Sequence, residues 1–185
     1  MMKKTALITG ASGGLGAEFA RIHASMGDNL VLVARSKDKM DLLKNELEAK
    51  YPVQVYVIAK DLSDSEIVRA IRDELELQNI QVDYLINNAG FGDFGFFANC
   101  DWEKQEEMIR LNVIALTYMT RLFLPGMVER KFGRILNVAS TAAFQPGPTM
   151  SVYFATKAFV LSFSEAIANE LQGTGVTVTA LCPGA

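Results

Sequence analysis

Tyr153 and Lys157 stand four residues apart in "YFATK", so on a helix both project from one face. A pair at that spacing is common and by itself says little. Ser140 gives it a context: it ends a candidate strand, Arg134–Val138, and the stretch from Thr141 to Met150 leads straight into the helix that would carry Tyr153. Reducing a carbonyl requires a proton at oxygen while hydride reaches carbon. Tyrosine, with a pKa of about 10, serves poorly at neutral pH unless a neighbouring ammonium stabilises its phenolate. Lysine supplies that charge, and a serine hydroxyl can hold the carbonyl oxygen. Ser140, Tyr153 and Lys157 therefore form a coherent set for alcohol–ketone chemistry.

The hydride needs a carrier, and the start of the chain offers a place for one. "TGASGGLG", Thr9 to Gly16, follows the apolar run Ala6-Leu7-Ile8 directly. Gly10, Gly14 and Gly16 are spaced G-x-x-x-G-x-G, with Ser12 and Leu15 between them. One reading is a tight turn from strand to helix; the other is a bare backbone that approaches a diphosphate at a helix N-terminus. The position between a strand and a helix favours the second. The tip of the next strand, "NLVLVA", carries Arg35, Ser36 and Lys37 and no carboxylate. An arginine there suits a ribose 2′-phosphate, whereas Asp or Glu would hold a free 2′-hydroxyl. A solvated arginine opening a loop is the alternative. The expectation is NADP(H) in preference to NAD(H).

The elements that must position these residues alternate. Strands are expected at Thr5–Ile8, Asn29–Ala34, Val53–Ala59, Tyr84–Ile86, Arg134–Val138 and Val176–Leu181. Helices are expected at Gly14–Met26, Lys37–Lys50, Asp64–Gln78, Trp102–Arg130 and Ser151–Gln172. Runs such as "LVLVA" and "VYVIA" are nearly continuous in apolar character, as in parallel strands covered on both faces. Ser63 with Glu66 reads as a capping box, Ser36 and Asp101 as N-caps, and "LPG" at 124–126 as a kink or end in the fourth helix. Strict β–α alternation predicts an α/β fold, a Rossmann-like doubly wound three-layer α-β-α sandwich with parallel strand order 3-2-1-4-5-6. Ligands bind such sheets at the carboxyl ends of the strands, where the unusual residues of this chain gather.

Composition narrows the function classes. A net charge of −3 without basic runs gives no footprint for nucleic acid. The longest apolar stretch, Leu111 to Leu124, is interrupted by Asn112, Thr117 and Arg121, so no membrane association is expected. The apolar run after the two N-terminal lysines is too short for a signal peptide. Cys100 and Cys182 fit no metal or CxxC spacing, which suits a reduced, cytoplasmic protein. His23 is the only histidine and is expected at the surface of the first helix. With no second histidine and no clustered carboxylates, neither a Ser-His-Asp triad nor a metal site has its parts.

Taken together, "TGASGGLG", "DL" at 61–62, "NNAG" at 87–90, Asn112 in "RLNV", Ser140, "YFATK" at 153–157 and "PG" at 183–184 resemble the short-chain dehydrogenase/reductase superfamily. The resemblance runs from Thr5 to the last residue. It implies that Asp61 and Leu62 meet the adenine ring and that Asn88, Ala89 and Gly90 line the cofactor. It implies that Pro183 and Gly184 open a loop touching the nicotinamide, and that Asn112 holds a water in a proton relay reaching Lys157. Lys157 would also bind the nicotinamide ribose, and Tyr153 would be acid or base. It further implies a homodimer or homotetramer through helices 102–130 and 151–172. On this reading residues 1–185 form a single NADP(H)-binding domain lacking the usual C-terminal substrate loop and last strand. Phe91, Phe94, Phe96, Phe97 and Phe144 lean toward a hydrophobic ketone or alcohol as the small-molecule substrate. A non-catalytic nicotinamide-nucleotide sensor or scaffold is the alternative from another class, and an extended-branch nucleotide-sugar epimerase fits less well.

Overall fold

A computed structural model describes residues 3–184. Six strands alternate with helices: β1 (Thr5–Thr9), α1 (Gly14–Ser25), β2 (Asn29–Ala34), α2 (Lys37–Lys50), β3 (Val55–Ala59), α3 (Ser65–Leu77) and β4 (Tyr84–Asn87). Then come α4 (Trp102–Ile109), a π-helical turn at Arg110–Ala115, α5 (Leu116–Glu129), β5 (Gly133–Val138), α6 (Ser151–Glu170) and β6 (Val176–Leu181). Short 3-10 turns occupy Phe97–Asn99 and Thr141–Phe144. All strand pairs are parallel and the order is β3-β2-β1-β4-β5-β6, as the alternation predicts.

The apolar strands bury both faces because successive side chains point to opposite sides. Leu7 of β1 and Val31 of β2 join Ile71, Leu75, Met119 and Met127 in one core. Their neighbours Ile8, Leu30 and Leu32 join Ala20, Met40 and Leu47 in the other. Over β4 to β6, the α1 side of the sheet carries a shallow pocket of about 190 Å³ lined by Phe19, His23, Tyr84, Leu136, Thr177 and Thr179.

Within each half of the sheet, β3-β2-β1 and β4-β5-β6, neighbours in space are neighbours in sequence. The halves meet at one seam, where Ala6, Leu7 and Ile8 pair with Tyr84, Leu85 and Ile86. Side chains pin both ends of it. At the amino end Thr5 N donates to Asp83 Oδ2 at 3.0 Å. At the carboxyl end Thr9 Oγ1 accepts from Asn88 N (2.9 Å) and Ala89 N (3.0 Å), while Asn88 Nδ2 donates to Thr9 O (3.0 Å). These bonds fix where the two halves' loops stand.

Five local expectations are corrected. β3 begins at Val55, because Val53 N turns back to Tyr51 O. Asp64, not Ser63, caps α3 through Glu66 N; the Ser63 hydroxyl is taken by Asp61 Oδ1 at 2.9 Å. Pro125 does not end its helix, since α5 runs on to Glu129. Pro125 and Arg121 are both exposed, so the carbonyl that proline leaves unpaired one turn back faces water. The irregularity lies upstream in the π turn, which joins α4 and α5 into a continuous helical stretch, Trp102–Glu129. That stretch has an 18-residue window of mean hydropathy 1.3 and is long and apolar enough to cross a bilayer, contrary to the reading of its interrupted sequence. It packs on the sheet through Ala115, Met119 and Met127, while Leu116 joins Val160 of α6 and Ala139. Last, His23 is largely buried: its Nδ1 is 2.8 Å from Asp28 Oδ2, and its ring lies 4.9 Å from that of Tyr84.

Candidate active site

One cleft of about 500 Å³ runs along the carboxyl ends of the strands. Gly10, Ser12, Leu15, Arg35, Asp61, Leu62, Asn88, Ala89, Gly90, Ser140, Tyr153, Lys157, Pro183 and Gly184 all line it. The expected residues Gly14, Gly16 and Asn112 do not: Gly16 and Asn112 are buried behind its walls, and Gly14 is exposed outside it. Sequence reasoning did not assign Lys60, Leu111 or Gly92 to the site, although they too line it. Lys60 was detectable as the residue before the "DL" pair. Leu111 is indistinguishable in sequence from the core stripe around it.

The glycine loop is shaped for close backbone approach. Gly10 has φ +67°, and a Cβ there would lie 2.8 Å from Asn88 Nδ2 and 2.9 Å from Ala89 Cα. A Cβ on Gly16 would run into Gly10 O and come within 2.7 Å of Asn88 Nδ2. Bare backbone at both positions lets the loop after β1 nest against the loop after β4 while α1 begins at the cleft floor. Helix N-terminal amides with no acidic residue in the first turn suit an anionic diphosphate, so these residues fit a dinucleotide.

At the far end, Arg35 extends from the tip of β2 with its side chain 69% exposed. Its Nη1 is 3.2 Å from Glu107 Oε1 on α4 and 3.7 Å from Asp61 Oδ2. Asp61 Oδ1 accepts from Ser63 N at 3.0 Å and from Ser63 Oγ at 2.9 Å. Burial pushes the Asp61 carboxyl up, but the two Ser63 hydrogen bonds and the Arg35 charge outweigh it and leave it below the usual carboxylate range.

At the other end, α6 presents Tyr153 and Lys157 from the same face. Lys157 is only 6% exposed. Its Nζ donates to Val138 O at 2.9 Å and lies 5.8 Å from the Tyr153 ring centre. Burial pushes the Lys157 ammonium down to about 8, with Cys182 opposing slightly. Ser140, which ends β5, accepts from Ala142 N at 3.1 Å, so its hydroxyl hydrogen stays free for another acceptor. The loop after β4 packs beside the tyrosine: a Cβ on Gly92 would be 3.1 Å from Tyr153 Cδ2, and Gly95 N donates to Thr149 O at 2.8 Å.

Asn112 stands near Lys157: a Cβ on Gly90 would lie 2.8 Å from Asn112 Oδ1 and 3.6 Å from Lys157 Nζ. The Asn112 side chain, 1% exposed, accepts from Phe91 N (3.1 Å) and donates to Phe91 O (2.9 Å) and Thr156 Oγ1 (3.1 Å). All three bonds are internal, so the amide clamps the β4 loop to α6 and faces no open space. The π turn aims it there, in keeping with the frequent use of such turns at functional sites. A second buried network escaped the sequence reading. Asn87 donates to Asn137 Oδ1 (2.9 Å) and Thr120 Oγ1 (3.1 Å), and Asn137 donates to Ser164 Oγ (2.9 Å). It locks β4, β5, α5 and α6 together beneath the cleft.

The family model described as short chain dehydrogenase matches residues 4–185. The chain belongs to this family. Among the relatives of this short chain dehydrogenase, a very-long-chain 3-oxoacyl-CoA reductase of Bos taurus is 37% identical over 183 residues, covering 96% of this chain and 58% of that protein. The chain thus spans well under two thirds of the length of the curated relatives it matches. The bulky-bulky ketone specific alcohol dehydrogenase from Comamonas testosteroni superposes with a TM-score of 0.93 at 37% identity, over 98% of this chain and 73% of that one. A short-chain dehydrogenase from Sphingobium yanoikuyae in complex with NADPH gives a TM-score of 0.93 at 39% identity, over 98% and 71%.

Proposed function

We propose that this chain carries the cofactor-binding and catalytic parts of an NADP(H)-dependent oxidoreductase interconverting a carbonyl and a secondary alcohol on a hydrophobic small molecule. One observation carries the reading: a single cleft holds the glycine loop and Arg35 at one end and Ser140, Tyr153 and Lys157 at the other. Gly10, Ser12, Leu15 and Asn88–Gly90 would hold the dinucleotide, Arg35 its 2′-phosphate, and Pro183 and Gly184 its nicotinamide end. The bound cofactor would supply or accept the hydride.

The protein's own groups handle the oxygen. The free hydroxyl hydrogen of Ser140 points its donor capacity at a substrate oxygen, and Tyr153 delivers the proton there in reduction and removes it in oxidation. Lys157, charged at neutral pH and tethered by Val138 O, stabilises the phenolate that remains. Asn112 keeps Phe91 and α6 in register, so the tyrosine meets substrate in one geometry.

Exposed Phe94, Phe96, Phe97 and Phe144 support the hydrophobic substrate. So do the bulky ketones and very-long-chain acyl compounds in the names of its relatives. Exposed Ile114 and Phe159, the latter stacked on Phe163 at 5.9 Å, support self-association through α4–α5 and α6. Unpaired Cys100 and Cys182 suit a cytoplasmic location with no disulfide requirement. The test follows nicotinamide absorbance across a panel of bulky ketones and secondary alcohols. Tyr153→Phe is expected to lose turnover while keeping NADPH affinity. Binding of NADPH with no turnover of any panel member would favour the sensor reading instead.

A further inference from the structure

We infer that Glu107, on α4 and outside every cofactor motif, sets how strongly the site discriminates NADP(H) from NAD(H) by competing with the 2′-phosphate for Arg35. The inference rests on the reading of Arg35 as the phosphate ligand.

The guanidinium has two carboxylate neighbours of different kinds. Asp61 is fixed, because its other oxygen is held by Ser63 N and Oγ, and its approach to Arg35 is long at 3.7 Å. Glu107 is the closer at 3.2 Å, is half-exposed, and among the described residues has no partner but Arg35. Both carboxylates address the same nitrogen, Nη1. A phosphate taking the guanidinium end-on, through Nη1 and Nη2, claims that nitrogen and Glu107 has to let go; one taking it side-on, through Nε and Nη2, still meets the Glu107 charge beside it.

Charge balance points the same way. Lys60 also lines this part of the cleft and has no carboxylate within salt-bridge distance among the described residues. Arg35 and Lys60 against Asp61 and Glu107 leave the corner neutral. A doubly charged phosphate gains little net attraction there until one carboxylate is removed. A ribose with a free 2′-hydroxyl carries no charge and makes no claim on Arg35, so Glu107 need not leave for it. The carboxylate therefore weakens one cofactor and not the other.

The experiment compares NADPH and NADH dissociation constants, by cofactor fluorescence, for the 185-residue chain and three variants. Glu107→Gln is expected to tighten NADPH about two- to five-fold, the range of an exposed ion pair, and to leave NADH unchanged. Glu106→Gln removes an equal charge from α4, but one paired with Arg110 at 2.7 Å, and is expected to leave the ratio of the two constants unchanged. The gain in Glu107→Gln should shrink as salt is raised, because its origin is Coulombic. An unchanged ratio in Glu107→Gln, or an equal shift in Glu106→Gln, overturns the inference while leaving NADP(H) preference standing. Arg35→Ala separates the two levels: if it fails to weaken NADPH selectively, the reading of Arg35 falls and the inference with it.

Discussion

Asn112 offers the sharpest separation of a positioning role from a chemical one. Asn112→Ala removes three buried hydrogen bonds at once, to Phe91 N, Phe91 O and Thr156 Oγ1. At about 1 kcal/mol for each bond, the loss is about 3 kcal/mol. For a domain of this size each kcal/mol lowers Tm by about 2–4 °C, so the variant should melt about 6–12 °C below wild type. The assay is thermal unfolding of the two proteins side by side, with NADPH titration and turnover measured well below both midpoints. The clamp predicts a large fall in Tm and reduced kcat, because Phe91 and Tyr153 lose their shared anchor, with a smaller effect on NADPH affinity. A Tm within about 2 °C of wild type together with abolished turnover would refute the argument, since only a group acting in the chemistry itself behaves that way.

Two further outcomes test the loop and the lysine. Gly16→Ala drives a Cβ against Gly10 O and Asn88 and should lose most NADPH binding along with several degrees of Tm. Gly13→Ala meets nothing within 4 Å and should melt within about 2 °C of wild type, a contrast read by titration and thermal unfolding. For Lys157, buried and pushed down to about 8 from the usual 10.5, reductase kcat should fall as pH rises through about 8 and the ammonium is lost. Stability moves the opposite way. Between about 8 and 10.5 the unfolded chain binds more protons at this lysine than the folded one, so its contribution to stability rises with pH. Wild type should therefore gain Tm relative to Lys157→Met across that window; a constant difference would contradict the burial argument.

The sheet order was legible because its signal is coarse: six apolar runs separated by amphipathic stretches admit few topologies. The cleft was legible because turn residues and chemistry-bearing residues fall at the same strand ends. What was not legible depends on contacts distant in sequence or on small phase shifts. No periodicity distinguishes a π turn at Arg110–Ala115 from ordinary helix, so the break was assigned to Pro125, whose local chemistry is louder. Ser63 has the pattern of a cap, yet Asp61 two residues earlier captures its hydroxyl. His23 reads as a surface residue until the ring of Tyr84, 61 positions away in the chain, tilts against it. The Arg35–Glu107 pair spans 72 positions and is invisible before folding.

The single seam between β1 and β4 is where the two halves of the sheet, distant in sequence, are joined. Each half is assembled from consecutive strand–helix units, whereas joining them closes a loop of nearly eighty residues against chain entropy. The cleft straddles that seam, with Gly10, Ser12 and Arg35 on one bank and Gly90, Ser140 and Tyr153 on the other. A dinucleotide lying across it would act as a clasp, and part of its affinity would appear as resistance of the two halves to parting. Cofactor recognition and the integrity of the sheet are on this account one equilibrium, felt at the same seam.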